Sequence, residues 1–335
     1  MTSRAFIAGC LGPRLTSEER AFFKDAQPWG FILFRRNTLD PEQVAALTAE
    51  MRACVGRHAP ILIDQEGGRV QRMAPPNWPK YRPARDFLTI NDPLLRREAV
   101  RLSARLMAHD LKVVGIDVDC LPVLDVPVAG SHDVIGDRAY AHEPDAVAQL
   151  ARAAAEGLIA GGVLPVIKHM PGHGRARADS HHDLPVVDAS LDELRAHDFR
   201  PFRHLADMPL AMTAHVVFTA LDPKRPATIS RKVVREVMRG EIGYDGLIMT
   251  DDISMKALSG SFADKAAAAI GAGVDVVLHC HGIMEEMVAI AGAVPMMTGA
   301  RARRAEAALA RIRHEPEPID LDEARGALAR AFGSV

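Results

Sequence analysis

Eight short apolar runs recur along the chain, each followed by an amphipathic stretch, and this alternation constrains the fold more than any other feature. The runs are RAFIAGC (4–10), GFILF (30–34), PILID (60–64), GIDVDCL (115–121), VLPVIKH (163–169), PLAMTAH (209–215), GLIMTD (246–251) and VDVVLHC (274–280). Runs rich in Val, Ile and Leu that alternate with helical patterns argue for βα units around a parallel sheet. The intervening segments, such as PEQVAALTAEMRACVG and EPDAVAQLARAAAEGLIAGG, carry helical spacing, and several end in Gly, as helix C-termini prefer. Eight such alternations within 335 residues predict a single (β/α)8 TIM barrel over 1–335, with 298–314 and 320–332 as closing helices. A doubly wound sheet is the alternative, but no GxGxxG follows the first run, and the GCLG there lacks the spacing.

A barrel places its active site at the C-terminal ends of its strands. The second run leads into Arg35, Arg36 and Asn37, the third into Asp64, Gln65 and Glu66, and the fourth runs on to Asp125. The fifth ends in Lys168 and His169, the sixth in His215, the seventh in Asp251 and Asp252, and the eighth in His279 and His281. Any one of these could be an ordinary solvated loop residue. Together they gather polar groups at one rim.

The remaining composition narrows the function class. A formal net charge of -2 with 25% charged residues shows no basic excess, which argues against a nucleic-acid partner. Arg301, Arg303 and Arg304 fall in an Ala-rich helical pattern and read as a solvated face. No apolar run approaches the roughly 18 residues of a membrane span, so no membrane association is expected. FIAGC at 6–10 looks like a lipoprotein cleavage box, yet the apolar region of a signal peptide does not precede it. The four cysteines, at 10, 54, 120 and 280, form no CxxC pair and sit in apolar segments. They read as reduced thiols used as small hydrophobes, and a cytoplasmic location is expected.

The richest chemistry lies after the fifth run, where KHMPGHGRARADSHHDLP (168–185) holds four histidines in eighteen positions. Metal catalysis is not expected there. His169 and His173 are four apart, but Pro171 and Gly172 lie between them, which rules out the helical face of a HExxH site, and the first run offers no ligand. Acid–base chemistry fits better. Asp179 and His181 are two apart, so an extended segment puts both on one face, where the carboxylate can fix the imidazole tautomer and leave the other nitrogen to move protons. Asp251 closes the run GLIMTD at a strand end, a rigid position suited to a nucleophile, while Asp252 suits capping of the next turn. These arguments alone do not separate the two aspartates. Gly172 and Gly174 offer backbone freedom and Pro171 anchors the start of the segment, which suits a loop that closes over a ligand.

Five motifs occur in order: IDQEGGRVQRM (63–73), IGDRAY (135–140), KHMPGHG with DSH (168–181), MTAHVVF (212–218) and MTDDISM (249–255). Jointly they make the chain resemble the bacterial β-N-acetylglucosaminidases of glycoside hydrolase family 3, the NagZ type. The resemblance implies a cytoplasmic exo-hydrolase that removes terminal non-reducing N-acetylglucosamine from β-linked glycans, typically muropeptides in peptidoglycan recycling, by retaining double displacement without metal or cofactor. It implies Asp251 as nucleophile, His181 as acid/base and Asp179 as its partner. Asp64, Arg72, Arg138, Lys168 and His169 would bind the sugar. An imidazole acid/base replaces the carboxylic acid of the usual two-carboxylate glycosidase, and it needs no large pKa shift to work near neutrality. Larger family members add domains after the barrel; here the acid/base is expected from a barrel loop. His173 and His182 are expected to pack the loop, and Glu66 to bond backbone amides around Gly67 and Gly68, with contact to substrate as its alternative. Two other readings remain, a broader β-glycosidase and a non-catalytic muropeptide sensor, although a sensor would usually have lost a catalytic group.

Overall fold

A computed structural model describes residues 3–178, 180 and 184–333. All eight apolar runs become strands of one closed parallel barrel: β1 (Arg4–Ala8), β2 (Pro28–Leu33), β3 (Ile61–Ile63), β4 (Val118–Asp119), β5 (Leu164–Met170), β6 (Leu210–Thr213), β7 (Leu247–Asp252) and β8 (Val276–His279). Each strand pairs with its neighbours in chain order, and β1 closes the ring against β8 with Phe6 opposite Val277. The strands are almost wholly buried because helices cover the outside and side chains fill the inside, which is why the runs show no alternation with polar residues.

The helices start where local chemistry satisfies their free N–H groups. Thr16 and Glu19 form a reciprocal capping box for Ser17–Ala26. Asp40 caps Pro41–Val55, Asp92 caps Pro93–Val113 and Ser261 caps Phe262–Ala272. The two helices expected after the last strand form at Gly299–Ala310 and Leu321–Ala331. Arg304 departs from the expected solvated face: it reaches Asp245 and the buried Asp275, which also takes Arg239 and the backbone N–H of Ile248. That cluster ties the outer helix to the barrel end opposite the polar rim.

β4 is shorter than its apolar run. Beyond Asp119 the chain stays extended but irregular: Pro122 has no N–H to donate, while Cys120 and Leu124 donate to the carbonyls of Ile63 and Lys168. This carries Asp125 inward, over the end of β5. All four cysteines are free thiols. Among the described residues, no helix is long and apolar enough to cross a membrane.

Candidate active site

The polar groups at the strand ends converge on a cavity of about 320 Å³ at the C-terminal mouth of the barrel. Asp64, Glu66, Arg72, Arg138, Lys168, His169, His173, Asp251 and His281 line it together with Phe34, Met212 and Met255. Six of the eight expected site residues therefore meet at one place. The other two, Asp179 and His181, lie outside the described residues, as does His182.

One wall is an alternating array of charges. Lys168, fully buried at the end of β5, places Nζ 3.0 Å from Asp64 Oδ1 and 2.6 Å from Glu66 Oε1. Arg72 donates to the other oxygen of Asp64 at 2.9 Å, and Arg138 grips both oxygens of Glu66 at 2.8 Å each. Burial raises the carboxyl pKa of Asp64, but the Lys168 and Arg72 charges outweigh it and hold the group well below the usual carboxylate range. The same opposition, with Arg138 and Lys168 on the favourable side, brings Glu66 down to about 2. Burial lowers Lys168, and Glu66 and Asp64 more than reverse this, so the ammonium stays charged. Such a pairing makes each desolvated ion tolerable and fixes donors and acceptors in the forked geometry of bidentate pairs. Glu66 is thus not the backbone-amide anchor expected from its glycine neighbours. It holds Arg138 and Lys168 at the cavity wall.

Asp125 organises the opposite side. Buried completely, its Oδ2 accepts from His169 Nδ1 at 2.6 Å, and its Oδ1 accepts the backbone N–H groups of His169 at 3.2 Å and His173 at 2.6 Å. A carboxylate bonded to Nδ1 fixes the ring orientation of His169 and leaves Nε2 for other contacts. The His169 and His173 rings stand edge to face, 5.8 Å apart. His173, expected to pack the loop, is buried against the cavity, with Nε2 3.3 Å from Ser180 Oγ. The loop's second glycine also differs from expectation. A Cβ on Gly174 would sit 2.2 Å from the Val126 carbonyl oxygen, so this residue serves a close backbone approach more than freedom of movement.

The two neighbouring aspartates at the end of β7 take different roles. Asp252 is engaged by its own turn: Oδ1 accepts from the backbone N–H groups of Ser254 and Cys280, and Oδ2 from the Ser254 hydroxyl. Asp251 accepts only from the Asp252 N–H, at 2.8 Å, among the described contacts. Burial raises its carboxyl pKa, but His169, His215 and that N–H bring it below the ordinary value, so it is ionised near neutrality. His215, held between Thr228 Oγ1 and the Asp252 carbonyl, fixes this strand end. The result is an available carboxylate on a rigid strand, facing a wall whose cations are already paired. Such a wall suits a neutral polyhydroxylated ligand.

The site carries a pH prediction. Burial pushes His173 down from its ordinary 6.5 to about 4. Its folded pKa lies below the unfolded one, so the unfolded chain takes up the proton first. Stability is fully present above about pH 6.5 and is lost as pH falls towards 4, by about 3 kcal/mol at roughly 1.4 kcal/mol per unit. Denaturant titrations across this range should show a shallower acid decline for His173→Asn than for the unaltered protein. Equal slopes would remove His173 as the source.

Comparison with known proteins gives the arrangement a context. The sequence matches the glycosyl hydrolase family 3 N-terminal domain over residues 5–314. The beta-hexosaminidase of Alkalilimnicola ehrlichii is 42% identical over 284 residues, 82% of this chain and 80% of that protein. That of Aromatoleum aromaticum is 39% identical over 276 residues, 81% and 77% of the two chains. Among solved structures, NagZ from Neisseria gonorrhoeae in complex with N-trifluoroacetyl-D-glucosamine superposes with a TM-score of 0.88 at 32% identity, covering 99% of this chain and 98% of that one. A family 3 beta-N-acetylglucosaminidase from Paenibacillus superposes with a TM-score of 0.85 at 30% identity, covering 98% of this chain and 66% of that one.

Proposed function

Because this chain belongs to glycosyl hydrolase family 3, we propose that it is a retaining exo-β-N-acetylglucosaminidase that removes terminal non-reducing N-acetylglucosamine from β-linked glycans. The observation that carries this reading is the ionised carboxylate of Asp251, which among the described contacts accepts one hydrogen bond, opposite the paired-charge wall. Asp251 attacks the anomeric carbon and forms a covalent glycosyl-enzyme, while the aglycone oxygen takes a proton from His181. Water then attacks the same carbon and gives its proton to His181, releasing the sugar and restoring both groups. Asp179 bonds the imidazole and supports its charged form. Asp64, Arg72, Arg138, Lys168 and His169 bind the sugar hydroxyls and N-acetyl group, with Glu66 and Asp125 holding the donors in place. The reaction uses no metal and no cofactor.

Muropeptides of the bacterial cell wall are the natural glycans that fit this specificity, and peptidoglycan recycling in the cytoplasm is the setting we assign. Family membership, with 37–42% identity to proteins named beta-hexosaminidase, supports the hexosaminide preference over a broad β-glycosidase. The intact Asp251 supports catalysis over a sensor role.

Parallel assays with p-nitrophenyl N-acetylglucosaminide and p-nitrophenyl glucoside test the reading. Cleavage of the first with little of the second is expected; equal rates would indicate the broader glycosidase, and no cleavage of either the sensor. In the same assay Asp64→Ala leaves Lys168 and Arg72 each short of a partner at the sugar wall. It should lower kcat/KM by about 1 to 3 kcal/mol of binding, roughly 5- to 150-fold. A normal kcat/KM in that variant would remove Asp64 from the site.

A further inference from the structure

Beside the sugar cavity, the end of β8 brings a second group of side chains together. His279 closes the strand, His281 lies in the following turn, and Glu286 sits in the first turn of the helix Met284–Ala293. His279 Nε2 is 2.7 Å from Glu286 Oε2, His281 Nδ1 is 3.9 Å from the same oxygen, and one ligand atom from each residue lies within 4.8 Å of the other two. None of the roles assigned above uses His279 or Glu286.

We propose that His279, His281 and Glu286 form a binding site for a zinc-class divalent cation, with water as the fourth ligand, separate from the glycosidase chemistry. Two imidazoles and one carboxylate make a donor set that tetrahedral zinc accepts with an open position. Nitrogen donors favour zinc, cobalt or nickel over calcium and magnesium, which prefer oxygen. Bonds of the usual length would space tetrahedral ligands about 3.3 Å apart. The observed 2.7 and 3.9 Å bracket that spacing, so small side-chain rotations suffice. The ion would take the place of the proton between His279 Nε2 and Glu286, and the neutral ring would carry that proton on Nδ1 instead. His281, 51% exposed, leaves a solvent route to the fourth position.

The backbone is also set in advance. A Cβ at Gly282, where φ is +76°, would meet the Cys10 backbone at 2.5 Å, so the turn after His281 takes one course. Arg36 donates to the carbonyls of Cys280 and His281 and pins that turn. Ser254 Oγ lies 3.2 Å from His281 Nε2, and Asp252 Oδ2 lies 3.9 Å from it. These contacts orient the ring so that Nδ1 faces Glu286, the kind of outer support that metal-bound histidines ordinarily have.

Titration of chelator-treated, full-length protein with Zn²⁺ at neutral pH, followed by calorimetry, should show one equivalent bound per chain. Co²⁺ in its place should give the intense visible absorption of a four-coordinate site. His281→Ala and Glu286→Gln, both at accessible positions, should each weaken Zn²⁺ at least tenfold, with circular dichroism confirming that each folds. Asp251→Asn should bind as tightly as the unaltered protein. The absence of stoichiometric binding would overturn the site, as would affinity unchanged in both variants. Loss in Asp251→Asn with retention in His281→Ala would place the ion in the sugar cavity instead.

Discussion

Asp251→Ala is expected to lower kcat/KM for an N-acetylglucosaminide by roughly 10⁴-fold or more while leaving the thermal unfolding profile largely unchanged. Removing a nucleophile abolishes the covalent route and leaves only positioning and electrostatic stabilisation, so the loss is far larger than that of one binding contact. The fold should tolerate the change, because among the described contacts the carboxylate accepts one hydrogen bond, from the next residue's N–H. A mechanism-based 2-deoxy-2-fluoro or 5-fluoro glycoside should become attached to this side chain, and peptide mapping would locate it. The neighbouring Asp252 is the informative control. Its oxygens are held by Ser254 and Cys280, so Asp252→Ala should disturb the turn after β7 and cost stability as well as rate. A label on Asp252 would reverse the assignment.

The barrel was legible because its strands are buried on both faces, which turns each into a short apolar run that a single sequence displays. The polar rim was legible for a related reason: a strand leaving the barrel must end in side chains that meet either water or a ligand. What sequence reading misjudged depends on partners distant in the chain. Glu66, flanked by Gln65 and two glycines, reads as a turn anchor; its actual partner, Arg138, is 72 residues away. Asp125 shows the same limit. Within LPVLDVPV it is one acid among apolar residues, and the cost of burying a lone charge is the available hint that it must have partners. Which partners it has follows only from folding, since His169 and His173 are 44 and 48 residues further on. The distinction between Asp251 and Asp252, left open by spacing, rests on the hydrogen bonds that Asp252 accepts from Ser254 in its own turn and from the Cys280 N–H just past β8.

The charge pattern links these groups to one function. Three cations and two carboxylates alternate along the cavity wall, each already paired with another. A phosphate or carboxylate ligand would have to break pairs that burial makes costly to separate. Sugar hydroxyls both donate and accept, so they can bridge neighbouring ions without unpairing them. In the proposed mechanism Asp251 supplies the nucleophile, and His181, with Asp179 as its partner, the proton transfers.

His181→Ala should produce a loss that depends on the leaving group. The expected chemistry assigns to His181 the proton that the aglycone oxygen takes as the glycosidic bond breaks, and a positioned acid contributes about 10² to 10⁴ in rate when that proton is needed. A natural sugar aglycone has a high leaving-group pKa, so kcat/KM should fall by roughly that factor. An activated aryl glycoside departs with little assistance, and its kcat/KM should fall far less. Asp179→Ala should follow the same trend more mildly, because it removes only the imidazole's partner. His173, which lines the cavity, makes a poor substitute: burial holds it neutral down to about pH 4, so it is not a charged acid near neutrality. The decisive measurement is a Brønsted series of aryl glycosides against the leaving-group pKa. A steeper dependence in His181→Ala than in the unaltered enzyme supports the assignment, whereas parallel lines would show that His181 is not the acid and that another group delivers the proton.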